Sequence, residues 1–268
     1  MKLSDFHILY INLDRRPERM NNIEKQFSKL NLLNRVTRIS AIDGQQIDSH
    51  VNELAEEFNT IPSKMNSKFW LNRSNFKTMC RDSTRVMGRV GCYLSHLRAI
   101  KYAQNNQLLP VLIFEDDCIF NITKDTEFIP PPEDNDMFYL GGLFWHLTEN
   151  PPLSDSDIWA KVNPNKLKLI CAFSYGFNNL INIDNTITLL TSVWNEGKSC
   201  DKPRDWKSGE QKIRATSLDI MYVNFIQKYG NAYFLNPQIT KQSSEFISDV
   251  TDFGKTTPSK PYKHNYYY

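Results

Sequence analysis

Residues 111–114 read Val-Leu-Ile-Phe, a continuous apolar run that follows Pro110 and ends on three carboxylates, Glu115-Asp116-Asp117. The run is too short for a helix and rich in β-branched and aromatic residues, so it reads as a strand. No polar residue alternates within it, so both of its faces must be covered. Helices on the two faces of a sheet meet that requirement.

The rest of the chain has the segments to supply them. Residues 7–13 read as a first strand, followed by a helix whose apolar positions Met20, Ile23, Phe27 and Leu30 recur at helical spacing. Pro17 suits that helix's first turn, and Asp14 stands where it can cap it. A second strand covers 36–42 and closes on Asp43-Gly44 as a turn. Residues 45–85 are polar and irregular, with a weak helix signal only near 54–58, and read as an insertion. Helical spacing returns over 90–104 through Val90, Leu94, Leu97 and Ile100, leading into the acidic strand. Beyond the Pro- and acid-rich stretch 125–136 the pattern predicts a strand at 137–144 and apolar segments at 167–173 and 177–183. A helix over 184–194 follows, then one capped by Thr216 or Ser217 that carries Leu218, Met221, Phe225 and Ile226, and a short strand at 233–235. Strands separated by helices define the α/β class with a mainly parallel, helix-covered sheet. The expected organisation is a single large domain over 1–250 with a C-terminal tail at 251–268.

Charge and cysteine content narrow the function classes. Thirty-two basic residues face 30 acidic ones, a formal charge of +2 with no long single-sign run, which disfavours nucleic acid as the main partner. The N-terminus has no apolar signal core, and no stretch approaches the roughly 18 apolar residues of a membrane span. The aromatic C-terminus also lacks a basic amphipathic helix, so stable membrane insertion is not expected. The expectation is a cytoplasmic protein, and the Asn and Lys richness fits an AT-biased genome, that of a bacterium or of a virus in its host cell. The 5 cysteines contain no Cys-x-x-Cys pair and read as reduced thiols.

In open α/β sheets ligands gather at the carboxyl ends of the strands, which is where Glu115, Asp116 and Asp117 fall. Strand alternation would put Glu115 and Asp117 on one side and Asp116 on the other, so that two hard oxygens share a divalent cation. A solvated acidic turn is the plainer alternative. His96 lies between Leu94 and Leu97, where a structural histidine fits as well as a ligand or base. Asp219, in a helix's first turn, suits the helix dipole as well as proton transfer. Arg16 and Arg19 stand one turn apart past the first strand, where a solvated helix face is the plain reading.

Several segments, in order, resemble glycosyltransferase family 25, the group of bacterial lipooligosaccharide and animal procollagen galactosyltransferases. They are residues 10–19 (Tyr-Ile-Asn-Leu-Asp-Arg-Arg-Pro-Glu-Arg), Ala41-Ile42-Asp43-Gly44, and Gly91-Cys92-Tyr93-Leu94-Ser95-His96 ahead of Glu115-Asp116-Asp117. Leu218-Asp219-Ile220-Met221, Leu235-Asn236-Pro237-Gln238 and Phe246-Ile247-Ser248-Asp249 complete the set. The resemblance implies a GT-A-like fold and a metal-dependent, inverting transfer of a hexose, galactose or glucose, from a UDP-sugar donor. The acceptor would be a glycan, a lipid-glycan or a hydroxylated peptide. It implies Mn2+ or another divalent cation held by Glu115, Asp117 and Asp249, donor contacts from Asn12, Arg16, Arg19 and Asp116, and catalytic roles for Asp219 and His96. Where family members commonly show Gly-Tyr-x-Ile-Ser, this chain reads Tyr175-Gly176-Phe177-Asn178-Asn179-Leu180-Ile181-Asn182, which keeps open a catalytically inactive binding or adhesion protein. A carboxylate-metal phosphatase is the third reading, but Glu115-Asp116-Asp117-Cys118-Ile119 lacks the Asp-x-Asp-x-Thr pattern of an aspartyl nucleophile.

Overall fold

The computed structural model describes residues 1–73, 83–146, 158–194 and 217–246. In chain order the described strands are β1 (His7–Asn12), β2 (Val36–Ser40), β3 (Val111–Glu115), β4 (Cys118–Phe120), β5 (Met137–Tyr139) and β6 (Leu143–His146). They continue as β7 (Ile158–Lys161), β8 (Leu167–Ile170), β9 (Ser174–Phe177), β10 (Ala232–Asn236) and β11 (Thr240–Gln242). The helices are α1 (Pro17–Lys29), α2 (Val51–Glu57), α3 (Ser67–Arg73), α4 (Ser83–Asn105), α5 (Leu180–Thr191) and α6 (Leu218–Met221), with π-helical turns at Tyr222–Gln227 after α6. The chain divides into two compact units. One comprises residues 1–40, 99–184 and 219–243, the other the described parts of 41–98, 185–218 and 244–268.

The first unit holds a seven-stranded sheet in the order β2-β1-β3-β9-β5-β10-β7, together with the pairs β11-β4 and β6-β8. The α/β class holds. Parallel ladders join β1 to β2, β1 to β3 and β5 to β10, while β9 runs antiparallel between β3 and β5. Only the bend at residues 171–173 separates β9 from β8, which belongs to the separate β6-β8 pair. Val111, Leu112, Ile113 and Phe114 are each 0% exposed, so β3 is covered on both faces as its unbroken apolar run requires.

Helix α1 begins with Pro17 at its first position and buries Ile23 and Phe27. Phe27 packs its ring against Tyr10, Phe114 and Phe120. Gln26 fixes the helix's register on β4: its amide donates to Cys118 O at 2.9 Å, and its oxygen accepts from Phe120 N at 3.0 Å. Asp14 does not cap α1; its carboxylate instead accepts from Arg38 and from Ser40 Oγ on β2. The expected strand at 137–144 is two strands in different sheets. The break falls at Gly141 and Gly142, where a Cβ on Gly141 would collide with Thr240.

In the second unit the stretch expected to be irregular is largely helical. A 3₁₀ segment at Gly44–His50, then α2, a turn at Pro62–Lys64 and α3 follow one another, and Ile47, Leu54, Phe58, Met65 and Trp70 in or just after them are buried. Elements of one or two turns are too short to show a 3.6-residue period, which is why the sequence pattern passes over them. Trp70, Tyr93 and Trp194 meet edge to face at centroid distances of 5.8, 6.2 and 6.4 Å. Gly91 and Ser95 of the Gly-Cys-Tyr-Leu-Ser-His segment are docking residues. Ser95 Oγ accepts from Ile42 N at 2.8 Å and donates to Gly91 O at 2.6 Å, and a Cβ at Gly91 would lie 2.5 Å from Ile42 O.

Buried Gln227, in the π-helical turns, acts as a substitute ladder partner for β8. Its Nε2 donates to Leu169 O at 2.6 Å and its Oε1 accepts from Leu169 N at 3.2 Å. Gln227→Leu would strand both backbone groups, so it is expected to destabilise the fold by about 2–4 kcal/mol, read from urea unfolding. A change under about 0.5 kcal/mol would show that water satisfies them instead.

Candidate active site

The site is built where β1 and β3 end side by side. Their parallel register sets Ile11 opposite Glu115, so Asn12 falls beside Asp116 one residue further on. Asn12 Nδ2 donates to Asp116 Oδ2 at 2.7 Å and to Arg16 O at 3.1 Å, tying the acidic turn to the N-terminus of α1. Asn12 Oδ1 in turn accepts from Arg38 Nε at 3.0 Å. Glu115 closes β3 with its backbone N–H on Phe173 O at 2.9 Å.

β3 stops at Glu115, and Asp116 and Asp117 form a turn into β4. Strand alternation therefore does not extend past Glu115, and the side chains of Asp116 and Asp117 meet on one guanidinium. Arg19 Nη2 lies 2.9 Å from Asp116 Oδ1 and 2.7 Å from Asp117 Oδ2, with all three residues buried. Asp117 Oδ2 also accepts from Gln242 Nε2 at 3.1 Å, and Asp117 O accepts from Ser243 N at 2.7 Å. Asp117 Oδ1 is buried and has no hydrogen-bond partner among the described residues.

Burial pushes the Asp117 carboxyl up to about 7; the Arg19 charge and the Gln242 hydrogen bond oppose the shift, and the Glu115 and Asp116 charges add to it. The unpartnered Oδ1 of this buried carboxylate is an oxygen suited to a hard divalent cation, and the Glu115 and Asp116 charges act on the same carboxyl.

The other candidates fall in several places. Arg16 is the N-cap residue of α1, with its Nε 2.8 Å from Glu18 Oε1. Asp219 lies half-buried in the first turn of α6. Its charge, with those of Glu115 and Asp117, adds to the burial that pushes the Cys171 thiol well up. Cys171 itself holds a left-handed φ of 68°, at the bend between β8 and β9. His96 is buried on α4, in the second unit. Asp249 lies outside the described residues. Arg38 and Gln242 were not foreseen. Arg38 sits on an ordinary strand, and Gln242 on a three-residue strand in a polar stretch, so neither carries a sequence signal.

No helix among the described residues is long and apolar enough to cross a membrane. The fold and its acidic strand end define an α/β protein with a candidate ligand site at the carboxyl edge of its sheet. Residues 6–149, more than half the chain, match the profile of glycosyltransferase family 25 (LPS biosynthesis protein), and the chain belongs to that family. A glycosyltransferase 25 family member of Drosophila pseudoobscura pseudoobscura is 32% identical over 163 residues, covering 58% of this chain and 24% of that protein. Proteins of the same description in Drosophila melanogaster and Aedes aegypti are each 30% identical over 120 residues, 44% of this chain and 17% of theirs. The chain thus spans about a quarter or less of the length of these curated relatives.

Proposed function

We propose that this chain is a metal-dependent, inverting glycosyltransferase that moves a hexose, galactose or glucose, from a UDP-sugar to a glycan, lipid-glycan or hydroxylated-peptide acceptor. The observation that carries the reading is the buried Asp117 Oδ1, left without a partner among the described residues, next to Glu115 and Asp116 in the chain at the carboxyl end of a central strand. Glu115 and Asp117 would hold Mn2+ or another divalent cation, with Asp249 as a third ligand. Bound there, the cation neutralises charge that develops on the leaving diphosphate.

The chain's own residues supply the rest. Arg16, at the N-cap of a thirteen-residue helix, puts a guanidinium at the positive end of the helix dipole, a pairing suited to a diphosphate. Arg19, turned inward, keeps Asp116 and Asp117 together. Asn12 orients Asp116 toward the same end of the sheet. Asp219 is the base that takes the proton from the acceptor hydroxyl as that oxygen attacks the anomeric carbon. His96 is a catalytic candidate on the strength of the family resemblance.

Calorimetric titration of uridine diphosphate with and without Mn2+ tests the reading. The carboxylate cluster alone repels a diphosphate, so affinity is expected to rise at least about tenfold when the cation is present. Equal affinity in the two conditions would exclude a shared cation at Asp117 and favour the inactive binding protein.

A further inference from the structure

The two carboxylate oxygens of Asp117 have different surroundings, and the difference traces to a strand outside the acidic motif. Oδ2 receives Arg19 Nη2 at 2.7 Å and Gln242 Nε2 at 3.1 Å. Oδ1 receives nothing among the described residues. Arg19 alone, which also reaches Asp116, would let the carboxylate turn about its Cβ–Cγ bond and offer either oxygen. A second donor arriving from another direction removes that freedom. The strand that brings it is itself anchored, since β11 pairs antiparallel with β4, with Gln242 opposite Cys118. Ser243 N donates to Asp117 O at 2.7 Å, so adjacent residues hold both the backbone and the side chain of Asp117.

We propose that Gln242 is a positioning residue of the cation site: with Arg19 it occupies Oδ2 of Asp117 and thereby presents Oδ1 as the ligand atom. The proposal rests on the reading of Asp117 as a ligand. A neutral amide suits the task, because it orients the carboxylate without cancelling the charge that attracts the cation; a lysine there would compete with the metal for it. Partners that orient ligating carboxylates typically account for about 10–100-fold in metal affinity.

Gln242→Met keeps the side chain's length and removes its donor. In Mn2+ titrations followed by electron paramagnetic resonance, with uridine diphosphate present, this variant is expected to bind Mn2+ about tenfold more weakly than the wild type. Gln242→Asn, whose amide falls short of Oδ2, should lose as much and serves if the Met variant folds poorly. The loss should appear in the Mn2+ concentration for half-maximal turnover and not in turnover at saturating Mn2+, a split that general unfolding does not produce. Lys241→Ala, on the exposed side of the same strand, should leave Mn2+ affinity unchanged. Wild-type Mn2+ affinity in both Gln242 variants overturns the positioning role and leaves the ligand reading standing. A wild-type protein that binds no Mn2+ overturns both.

Discussion

Asp117→Asn is expected to stabilise the metal-free protein at pH 8 while removing most of its transfer activity. The Asp117 carboxyl, pushed to about 7 from an ordinary value of 3.8, is more easily protonated in the fold than in the open chain. Burial is the main cause. A group shifted in this direction contributes stability that is complete below about pH 4 and is lost as pH rises through 7. Above that the metal-free fold carries a buried, ionised carboxylate whose Oδ1 no described residue satisfies. Removing that charge outweighs the cost of about 1–3 kcal/mol for an unpartnered amide N–H in the variant, so the gain is present at pH 8 and falls to nothing or reverses near pH 5. Melting curves in chelator at the two pH values measure it. Mn2+ should raise the melting temperature of the wild type and leave the variant's unchanged, and turnover should fall about 100-fold or more with the ligand gone. A wild-type protein with no stability slope between pH 5 and 8, and a variant that melts lower at both, would show that Asp117 is a satisfied structural carboxylate.

That coupling of instability to chemistry also explains which parts of the site could be read from the sequence. β3 was legible because four consecutive apolar residues have few alternatives to a strand covered on both faces, and its carboxylate ending was visible by inspection. β1 and α1 were legible through spacing, with Pro17 marking the helix start. The partners of the carboxylates were not. Whether Arg19 points outward to a ligand or inward to Asp116 and Asp117 depends on the turn that follows Glu115, where strand alternation no longer governs. Asp14 looked like a helix cap, but its neighbours on β2, Arg38 and Ser40, offer it charged and hydroxyl donors that a cap position would forgo. Gln242 and Gln227 illustrate the wider limit. A lone glutamine reads as surface, and only the fold shows that one grips a carboxylate and the other replaces a strand. The strands β4, β7 and β11, three or four residues each, lie below the length at which a two-residue period can be recognised.

Asp219→Asn is expected to slow the chemical step by roughly 100-fold or more while leaving donor and Mn2+ binding unchanged. The substitution keeps the side chain's size and its place in the first turn of α6, so a role confined to the helix dipole would lose only about 0.3–1 kcal/mol of stability and little rate. The Asp219 charge, with those of Glu115 and Asp117, adds to the burial that pushes the Cys171 thiol up. An inverting transfer requires an acceptor hydroxyl to lose its proton as its oxygen attacks the anomeric carbon. An ionised carboxylate on the acceptor side can take that proton, whereas an amide cannot. The variant should therefore bind uridine diphosphate and Mn2+ with wild-type affinity by calorimetry, melt within a few degrees of the wild type, and show the loss almost wholly in kcat with a competent acceptor. Its residual rate should climb with pH as hydroxide replaces the missing base. Turnover at nearly the wild-type rate would reduce Asp219 to a helix-terminal charge, and the search for the base would move to His96.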